Sequence, residues 1–396
     1  MLPFDDALRR ILQSAPALSS ERVSLDAGNG RVLAEDLIAR APLPGFDYSA
    51  MDGYAVAAET FGGAGPWALS VHGESRAGAL APELEPRSAC RIFTGAPIPV
   101  GADTVVMQEN VVREGDLAQF SAAPKPGAHI RRRGEDLAQG AIAMSRGTRL
   151  NAFRIGLAAA VDRGELLVAR RPRVSILCTG EELRSPGSAA LPGTIPDSNG
   201  PSLAAMAEAA GAVTRLEPRT GDTLQATEQA LRAALQETDL LLTVGGVSVG
   251  EHDLVKAALS NVGAQLDFWK VLIRPGKPLA FGRFGNTLIL GLPGNPVSAQ
   301  LTFALFGMPL VRAMQGDQNP VPARGTARLH SALRQQPGRT GFYRATLQGD
   351  LAITASNQAS GSPVSLALAD ALLIVPADSA GFEAGESVAM IRLAEL

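Results

Sequence analysis

The chain has 396 residues, a formal net charge of −3 at pH 7 and 46% hydrophobic residues. This length allows two to four domains with a substantial core, and the small net charge argues against a broad electrostatic surface for nucleic acids or membranes. On composition, no apolar run reaches the length of a bilayer span, and the amphipathic start MLPFDDALRRIL lacks a signal peptide's apolar core. We therefore expect a cytoplasmic protein.

The first 170 residues combine helical and β-rich segments. Phe4–Gln13 has the pattern of an amphipathic helix, and a second helix is predicted over 152–161. The Pro- and Gly-containing stretch 41–45 indicates a linker. After it, short β-type runs separated by Gly and Pro predict a small β-rich domain, with strands over 67–72, 90–94, 104–108 and 110–113. We expect the segment after this domain to pack against the first 42 residues, which would make the β-rich domain an insertion.

From residue 171 onwards, strand and helix patterns alternate, which predicts a parallel α/β sheet with helices on both faces. The predicted strands are 174–178, 212–217, 239–244, 266–271, 279–284 and 287–290, and the predicted helices are 201–210, 224–237, 254–262 and 297–314. Residues 317–396 are predicted to form a small β domain without helices, with strands over 327–333, 341–348, 351–354, 371–375 and 387–393.

Polar and glycine-rich segments follow the predicted strands, where α/β sheets bind their ligands. They are residues 179–182, 195–199, 220–222, 245–253, 274–278 and 291–296. Each has a simpler interpretation when taken alone: Asp222 as a helix N-cap, the Pro-Gly-Asn-Pro segment 293–296 as a tight turn, and Arg274 and Lys277 as solvated charges. Their occurrence at successive strand ends favours one common binding site.

The stretch 239–256, DLLLTVGGVSVGEHDLVK, predicts a strand, a glycine turn and a helix. This geometry presents backbone N–H groups to an anion, and here it also carries two carboxylates, which predicts a charged ligand bridged by a metal ion. Gly245 and Gly250 have the P-loop spacing, but Glu251 stands where a P-loop needs Lys. Since no G-x-G-x-x-G follows a strand either, the pattern excludes a Walker NTPase and a dinucleotide dehydrogenase.

A second set of polar turns precedes the α/β region, at 48–55, 93–103 and 131–136. The last of these, RRRGED, places three cations beside two anions. Taken alone, it is also explained by a solvated face or by ion pairs between domains.

Taken in order, these motifs resemble those of the molybdopterin molybdenumtransferases of the MoeA type, relatives of the gephyrin E domain. The matching segments are SAMDGYAV (49–56), FTGAPIP (93–99), RRRGED (131–136), TGEEL (179–183), DSNGPSL (197–203), GGVSVGEHD (245–253), RPGKPLAFG (274–282) and GLPGNPVSA (291–299). They span nearly the whole chain. The sister family that adenylylates molybdopterin shares only the α/β domain, so the length favours the molybdenum-inserting member.

The resemblance implies a multidomain α/β plus β fold. Its parts would be an N-terminal helical/linker segment (1–42 and 126–170), an inserted β-rich domain (43–125), a three-layer α/β molybdopterin-binding domain with a parallel-type sheet (171–316) and a small β-barrel-like C-terminal domain (317–396). It also implies a homodimer whose active cleft lies between the α/β domain of one subunit and the β-rich domain of the other. The upstream molybdopterin adenylyltransferase is an expected partner, whereas nucleic acids and membranes are not.

The reaction implied by the resemblance converts adenylylated molybdopterin and molybdate to molybdenum cofactor and AMP, with Mg²⁺. All of these substrate groups are negative, and two like charges about 4 Å apart cost roughly 4 kcal/mol at an effective dielectric near 20. A divalent cation held by carboxylates and phosphates removes that conflict. We therefore assign Glu182, Asp222 and Asp253 to the metal and the pyrophosphate, with Asp52 and Asp136 reaching in from the partner subunit. Which carboxylate binds metal and which acts as a base stays open.

The remaining expected site residues contact the substrate. Lys277, grouped with the catalytic carboxylates, and Arg274 are candidates for binding molybdate or pyrophosphate. The predicted phosphate and wall contacts come from Gly245, Gly246, Ser248, Gly250, Pro293 and Pro296, and further substrate contacts from Thr94, Arg131 and Ser362. Two other functions stay open: a non-catalytic molybdopterin-binding scaffold, which the set of five acids disfavours, and a molybdopterin adenylyltransferase.

Overall fold

A six-stranded sheet organises the α/β domain. The computed structural model describes residues 1–221, 223–246 and 254–396. From edge to edge, the strands are Val213–Leu216, Arg173–Cys178, Leu240–Val244, Thr287–Leu292, Ala280–Phe284 and Gln265–Phe268. The first four pair in parallel, and Ala280–Phe284 is antiparallel to both of its neighbours. All strands except Ala280–Phe284 therefore run in one direction, and their carboxyl ends lie at one edge of the sheet.

Helices cover both faces of this sheet, as the alternating pattern predicted. They are Asn199–Ala209, Leu224–Ala234, Leu254–Asn261 and the helical segment that starts with Pro296–Thr302. Leu240, Leu242 and Val244 of the central strand belong to one apolar core, and Leu241 belongs to the core on the opposite face. The strand is buried throughout because successive side chains point to opposite faces and both faces are covered. The three-layer α/β prediction is confirmed.

Two predicted features of the sheet differ from the structure. Ala280–Phe284 is antiparallel because only Gly285 and Asn286 separate it from Thr287–Leu292, and so short a connection cannot return a strand in parallel. The predicted strand 266–271 ends at Phe268, and Ile273–Arg274 pairs instead with the C-terminal strand Thr340–Gln348.

The predicted helix 297–314 consists of Pro296–Thr302, a π-helical segment Phe303–Gly307 and Met308–Met314. Gly307 allows the π-helical turn to pack tightly, because a Cβ atom at this position would lie 2.0 Å from Cδ2 of Phe303. By length and composition alone the whole segment could cross a membrane, so the expectation that no run is long enough was wrong. However, 83% of its most apolar window is buried inside the protein, as in a core helix.

The first helix has the predicted bounds, Phe4–Gln13, and Asp5 and Asp6 in its first turn complement the helix dipole. Its apolar face packs against the α/β core, where Phe4 meets the rings of Phe306 and Phe342 edge-on, each at 5.2 Å between centroids. By packing, this helix therefore belongs to the α/β domain, although the sequence grouped it with the linker segment.

Segments on both sides of the β-rich region form one packed unit. Ser20–Ser24 pairs antiparallel with Glu165–Ala169, and Leu37–Ile38 pairs with Ile142–Met144. The helix Ala152–Ala160 covers their shared core, which contains Leu33, Leu37, Leu150, Leu166 and Val168.

The β-rich region between them forms a six-stranded sheet. In spatial order its strands are Thr104–Met107, Gly53–Val56, Ser88–Ile92, Trp67–Ser75, Leu117–Phe120 and Val111–Glu114. The sequence did not predict Gly53–Val56 or Leu117–Phe120. Gly53 is required where it lies because a Cβ atom would sit 1.9 Å from the carbonyl oxygen of Val106 on the neighbouring strand. A short strand pair, Tyr48–Ser49 with Ile130–Arg131, lies beside this sheet.

The C-terminal domain is a closed, barrel-like sheet, as predicted. Its strands are Gly325–Leu329, Thr340–Gln348, Leu351–Thr354, Ala371–Val375 and Ser387–Arg392, and Thr340–Gln348 closes the ring by pairing with both Leu351–Thr354 and Ala371–Val375. The predicted strand 327–333 was wrong in its bounds, because a second strand, Leu333–Arg334, pairs separately with Gly381–Phe382. The prediction of no helix was also wrong: Pro363–Ala367 is helical and begins with the proline that favours a first turn.

Candidate functional site

A cleft of about 640 Å³ lies at the carboxyl edge of the α/β sheet. Segments that follow different strands contribute to its wall, as the sequence pattern predicted. The described lining residues are Thr179, Gly180, Glu182, Leu183, Ile195, Pro196, Ser198, Asn199, Thr227, Val244, Gly245, Gly246, Leu254, Val255, Pro278, Pro293, Gly294, Asn295 and Pro296. The structure therefore brings together five of the predicted site residues, namely Glu182, Gly245, Gly246, Pro293 and Pro296.

Two glycines shape the floor of the cleft. Gly245 and Gly246 have φ angles of +88° and +60°, in the left-handed region that favours glycine. A Cβ atom on Gly246 would also lie 2.4 Å from Cγ2 of Val255. The Gly245 N–H donates to the Leu292 carbonyl at 3.1 Å, so it is not available to a ligand. The Gly246 N–H makes no hydrogen bond to a described residue and is the better anion contact of the two.

Glu182 supplies an uncommitted carboxylate at the cleft. The side chain folds back over Gly180, where a Cβ atom would lie 2.4 Å from Oε2 of Glu182. Glu182 is exposed, and among the described residues no hydrogen bond or ion pair engages its carboxylate. Its oxygens are therefore free to bind a hard cation.

Part of the predicted site lies outside the described residues: Asp222, Ser248, Gly250 and Asp253, together with Glu251. The helix that follows Asp222 is capped by Thr223, whose Oγ1 accepts from the Ala226 N–H at 3.3 Å. Within the described ranges 1–221, 223–246 and 254–396, no cluster of three His, Cys, Asp or Glu residues could hold a metal ion. Of the three predicted magnesium ligands, only Glu182 is described. Its exposed carboxylate is a donor of the type that Mg²⁺ takes, and the magnesium site stays a prediction.

Asn199 is a cleft residue that the predicted set of site residues missed. It is 6% exposed, and its Nδ2 donates to the Gly294 carbonyl at 2.8 Å, while its Oδ1 has no hydrogen-bond partner among the described residues. Asp197 holds the start of this helix, since its Oδ1 accepts from the N–H groups of Asn199 and Gly200, both at 3.0 Å. The available signal was the segment 195–199, which overlaps the DSNGP motif and was predicted to belong to the common binding site, without a role assigned to Asn199.

Cys178 lies at the strand end next to this turn and is buried. Burial raises the pKa of its thiol, and the neighbouring charge of Asp197 raises it further. The thiol is therefore held protonated, which disfavours a role as a sulfur ligand.

The Pro-Gly-Asn-Pro segment joins the cleft to the C-terminal domain. Asn295 Nδ2 donates to Ser360 Oγ at 3.2 Å, and the Val297 N–H donates to the Ser360 carbonyl at 3.1 Å. Ser360 is thus the C-terminal residue that reaches this wall. The predicted Ser362 does not line the cleft. It lies at the start of Pro363–Ala367, where its carbonyl accepts from Ser365 Oγ.

Arg274 and Lys277 lie in the segment that passes the cleft on its way to the antiparallel strand. Pro278 of that segment lines the cleft, whereas Arg274 and Lys277 do not. Both side chains are exposed, and neither makes a hydrogen bond or ion pair with the described residues. Burial raises the pKa of Tyr343, and the positive charge of Arg274 partly opposes this shift.

The second polar cluster forms in the β-rich region. Oδ1 of Asp52 accepts from the Thr94 N–H at 2.7 Å and from Thr94 Oγ1 at 2.9 Å. These hydrogen bonds, with a further contribution from the charge of Arg91, hold the pKa of Asp52 below its usual value. Asp52 is therefore an ionised, oriented carboxylate at neutral pH.

Arg131 also belongs to this cluster. Its Nη2 lies 2.6 Å from Oδ1 of Asp136, and its Nε lies 3.1 Å from Oε1 of Glu135. Arg131 is thus held by local ion pairs, and Arg132 pairs with the more distant Asp47 at 2.7 Å. Across the described part of the chain, no hydrogen bond or ion pair joins this cluster to the cleft of the α/β domain. The cluster and the cleft are therefore separate features of this chain.

The fold and the cleft define a multidomain protein in which an α/β ligand-binding domain is flanked by a β-rich region and a barrel-like domain. Three family models match it in chain order: the MoeA N-terminal region (domain I and II) over residues 2–161, a probable molybdopterin binding domain over 175–313, and the MoeA C-terminal region (domain IV) over 326–393.

Individual relatives agree over the full length. A molybdopterin molybdenumtransferase of Haemophilus influenzae is 36% identical over 98% of both chains, and the Mycobacterium tuberculosis protein named molybdopterin molybdenumtransferase 2 is 38% identical over 92% of both. The solved structure of the molybdopterin biosynthesis moeA protein from Pyrococcus horikoshii OT3 matches with a TM-score of 0.86 at 30% identity, covering 99% of this chain and 100% of that one. The chain belongs to the molybdopterin molybdenumtransferase family, and it is a transferase.

Proposed function

We propose that this protein acts in molybdenum cofactor biosynthesis, where it inserts molybdenum from molybdate into adenylylated molybdopterin and releases AMP. The observation that carries the proposal is the cleft at the carboxyl edge of the sheet, in which the free carboxylate of Glu182 lies beside the Gly245–Gly246 turn and the Pro-Gly-Asn-Pro wall. The names of the relatives that match over nearly the whole chain support the same activity.

Magnesium is part of the proposal. Glu182 would hold the ion together with Asp222 and Asp253, and the bound ion would neutralise phosphate charge and polarise the phosphoanhydride. The free carboxylate of Glu182 supports this assignment.

The side chains and backbone of the protein would do the rest of the work. The Gly246 N–H would donate to a substrate phosphate. Lys277 and Arg274, whose side chains pair with none of the described residues, would attract molybdate or pyrophosphate to the rim. The prolines at 293 and 296 would keep the wall rigid, because each fixes its own φ. Asp52, held ionised by Thr94, would accept a proton or orient a reacting group.

We further propose a cytoplasmic homodimer with a shared cleft. Within one subunit, no described hydrogen bond or ion pair connects Asp52, Thr94, Arg131 or Asp136 to the α/β cleft. A partner subunit could bring this cluster to the cleft, and the upstream molybdopterin adenylyltransferase would deliver the substrate there.

The test is an assay of purified protein with adenylylated molybdopterin, molybdate and Mg²⁺. The proposal predicts AMP release that depends on molybdate. Tight pterin binding without turnover would instead identify a scaffold, and consumption of ATP with free molybdopterin would identify an adenylyltransferase.

Substitutions in both parts of the proposed cleft extend this test. Asp52→Ala and Asp253→Ala should each lose turnover while the protein stays folded and dimeric, whereas Asp350→Ala, at an exposed carboxylate of the C-terminal domain, should keep it. Wild-type AMP release from both cleft variants would rule out the shared cleft.

A further inference from the structure

Arg91 lies beside the Asp52–Thr94 pair of the second polar cluster, although no motif singled it out. It lies in Ser88–Ile92 directly opposite Tyr54 of the neighbouring strand. Its Nη1 donates to the Gly53 carbonyl at 2.9 Å, and its Nη2 donates to Gln108 Oε1 at 2.6 Å. The Arg91 guanidinium therefore links the strand that contains Gly53 to the segment that contains Gln108. Gly53 directly follows Asp52.

The same guanidinium packs against two aromatic rings. Its Cζ lies 5.2 Å from the ring centroid of Tyr54 and 4.7 Å from that of Phe93, which are cation–π distances. Phe93 immediately precedes Thr94. Arg91 thus contacts the neighbours in sequence of both residues that form the Asp52–Thr94 pair.

A backbone hydrogen bond also connects Gln108 to Asp52. The Gln108 N–H donates to the Asp52 carbonyl at 3.0 Å, so Gln108, held by Arg91, also fixes the main chain of Asp52. The carboxylate is fixed at its other end by the N–H and hydroxyl of Thr94.

Three other charged side chains on the surrounding elements already have partners among the described residues. Glu74 on the adjacent strand pairs with Arg76, and Arg131 is held by Glu135 and Asp136. Glu109 accepts from the amide of Gln108 at 3.5 Å. Among the described residues, Arg91 is the cation whose charge lowers the pKa of Asp52.

We propose that Arg91 is a positioning residue that aims Asp52 and Thr94 at the reacting groups. This inference deepens the proposed function and rests on it. Arg91 itself need not touch the substrate, because its N–H groups donate to Gly53 and Gln108. The faces of its guanidinium pack against the rings of Tyr54 and Phe93. Its planar fork and stacking set it apart from lysine, which would supply charge without either property.

The experiment compares full-length Arg91→Met and Arg91→Lys with wild type. A displacement of about 1 Å in a reacting group can cost up to about 100-fold in rate, so we expect kcat for AMP release to fall by about 10- to 100-fold in both variants, with KM changed less than about threefold. Rescue of kcat by Arg91→Lys would show that only charge matters and would overturn the positioning role.

The matched control is Arg113→Met. Arg113 lies in the same β-rich sheet and also donates to a backbone carbonyl, that of Gly115, but it makes no contact with the Asp52–Thr94 pair. It should keep wild-type kcat. If Arg91→Met fails to fold, as shown by circular dichroism, Arg91→Lys carries the test, because a folded Lys variant with wild-type kcat overturns the proposal equally.

A second measurement is independent of activity. The amide resonance of Thr94, which is bonded to Asp52, should follow the titration of that carboxyl in substrate-free protein. We expect its midpoint to move to higher pH in Arg91→Met and to stay in place in Arg113→Met. An unchanged midpoint in Arg91→Met overturns the inference. If no variant, wild type included, releases AMP, the proposed function fails while this titration still shows whether Arg91 holds Asp52.

Discussion

Asp239 fixes the start of the central strand to the segment that enters the α/β domain. Its carboxylate accepts from Nη1 and Nη2 of Arg170 at 2.6 and 2.8 Å and from the Arg173 N–H at 2.8 Å. Burial alone would raise the pKa of Asp239. The hydrogen bonds from Arg170 and Arg173 outweigh it, so the pKa lies below its usual value.

We predict that Asp239→Asn destabilises the protein by about 1–3 kcal/mol at pH 7, because a partly buried guanidinium loses its charged, bidentate partner. The measurement is the thermal transition midpoint. The control is Asp350→Asn, which breaks the Arg328–Asp350 pair at 2.7 Å, where both side chains are exposed. This control should leave the midpoint almost unchanged, since exposed ion pairs contribute little.

The pairing of Asp239 with Arg170 also predicts how the stability depends on pH. Because the folded pKa of Asp239 is depressed, its contribution is complete above the unfolded value, near 3.8, and is lost as the pH falls through the folded value. The stability difference between wild type and Asp239→Asn should therefore hold at neutral pH and shrink below about pH 4. A constant difference down to pH 2 would contradict the assignment.

At the scale of elements, the turn after the central strand depends on Gly246. Its φ of +60° disfavours any other residue by about 1–2 kcal/mol, and the overlap of a Cβ atom with Val255 adds to this cost. We predict that Gly246→Ala costs more than Gly349→Ala, where φ is +63° and no atom lies within 4 Å of the built Cβ.

A double substitution isolates the packing part of that cost. Gly246→Ala combined with Val255→Ala removes the Cγ2 atom that the new methyl group would meet, so the two changes together should cost less than the sum of their separate effects. Urea unfolding of the four proteins measures the coupling. Strict additivity would show that backbone strain alone makes glycine necessary there.

Sequence reasoning located elements well where the signal was local. The helix Phe4–Gln13 follows from its apolar spacing, and the strand-end motifs converge because the parallel strands share an edge. Sequence reasoning missed strands whose formation depends on pairing with residues far away in the sequence. The strand Gly53–Val56 is short and begins with glycine. Its four residues are buried because two other strands flank it and apolar clusters cover both of its faces.

Individual side-chain roles within the cleft were harder to predict than its location. Gly245 was expected to present its N–H to a phosphate, but that N–H closes the bond to Leu292 that joins two strand ends. Asn199 and Ser360 reach the wall through contacts with Gly294 and Asn295, which lie far away in sequence. Such contacts depend on tertiary packing, to which local patterns are insensitive.

At the scale of the whole molecule, the second polar cluster and the α/β cleft are separate within one chain. If a dimer brings them together, inactive variants of the two features should complement each other. Asp52→Asn and Glu182→Gln impair opposite sides of the proposed shared cleft. After the two inactive homodimers are mixed and allowed to exchange subunits, half of the dimers should be mixed, and each would have one intact cleft of two. Activity should return to about a quarter of the wild-type value, as two-fold symmetry requires.

A matched mixture controls for effects of exchange itself. Asp52→Asn with Asp136→Asn places both changes in the second polar cluster, so each cleft of a mixed dimer keeps one defect, and no activity should return. If Asp52→Asn with Glu182→Gln also stays inactive after exchange has been confirmed by mass spectrometry, then Asp52 and Glu182 do not serve one cleft across the dimer. Recovery in the first mixture alone is the result expected when each active cleft is built from two chains, because only then can the intact halves of two defective subunits meet.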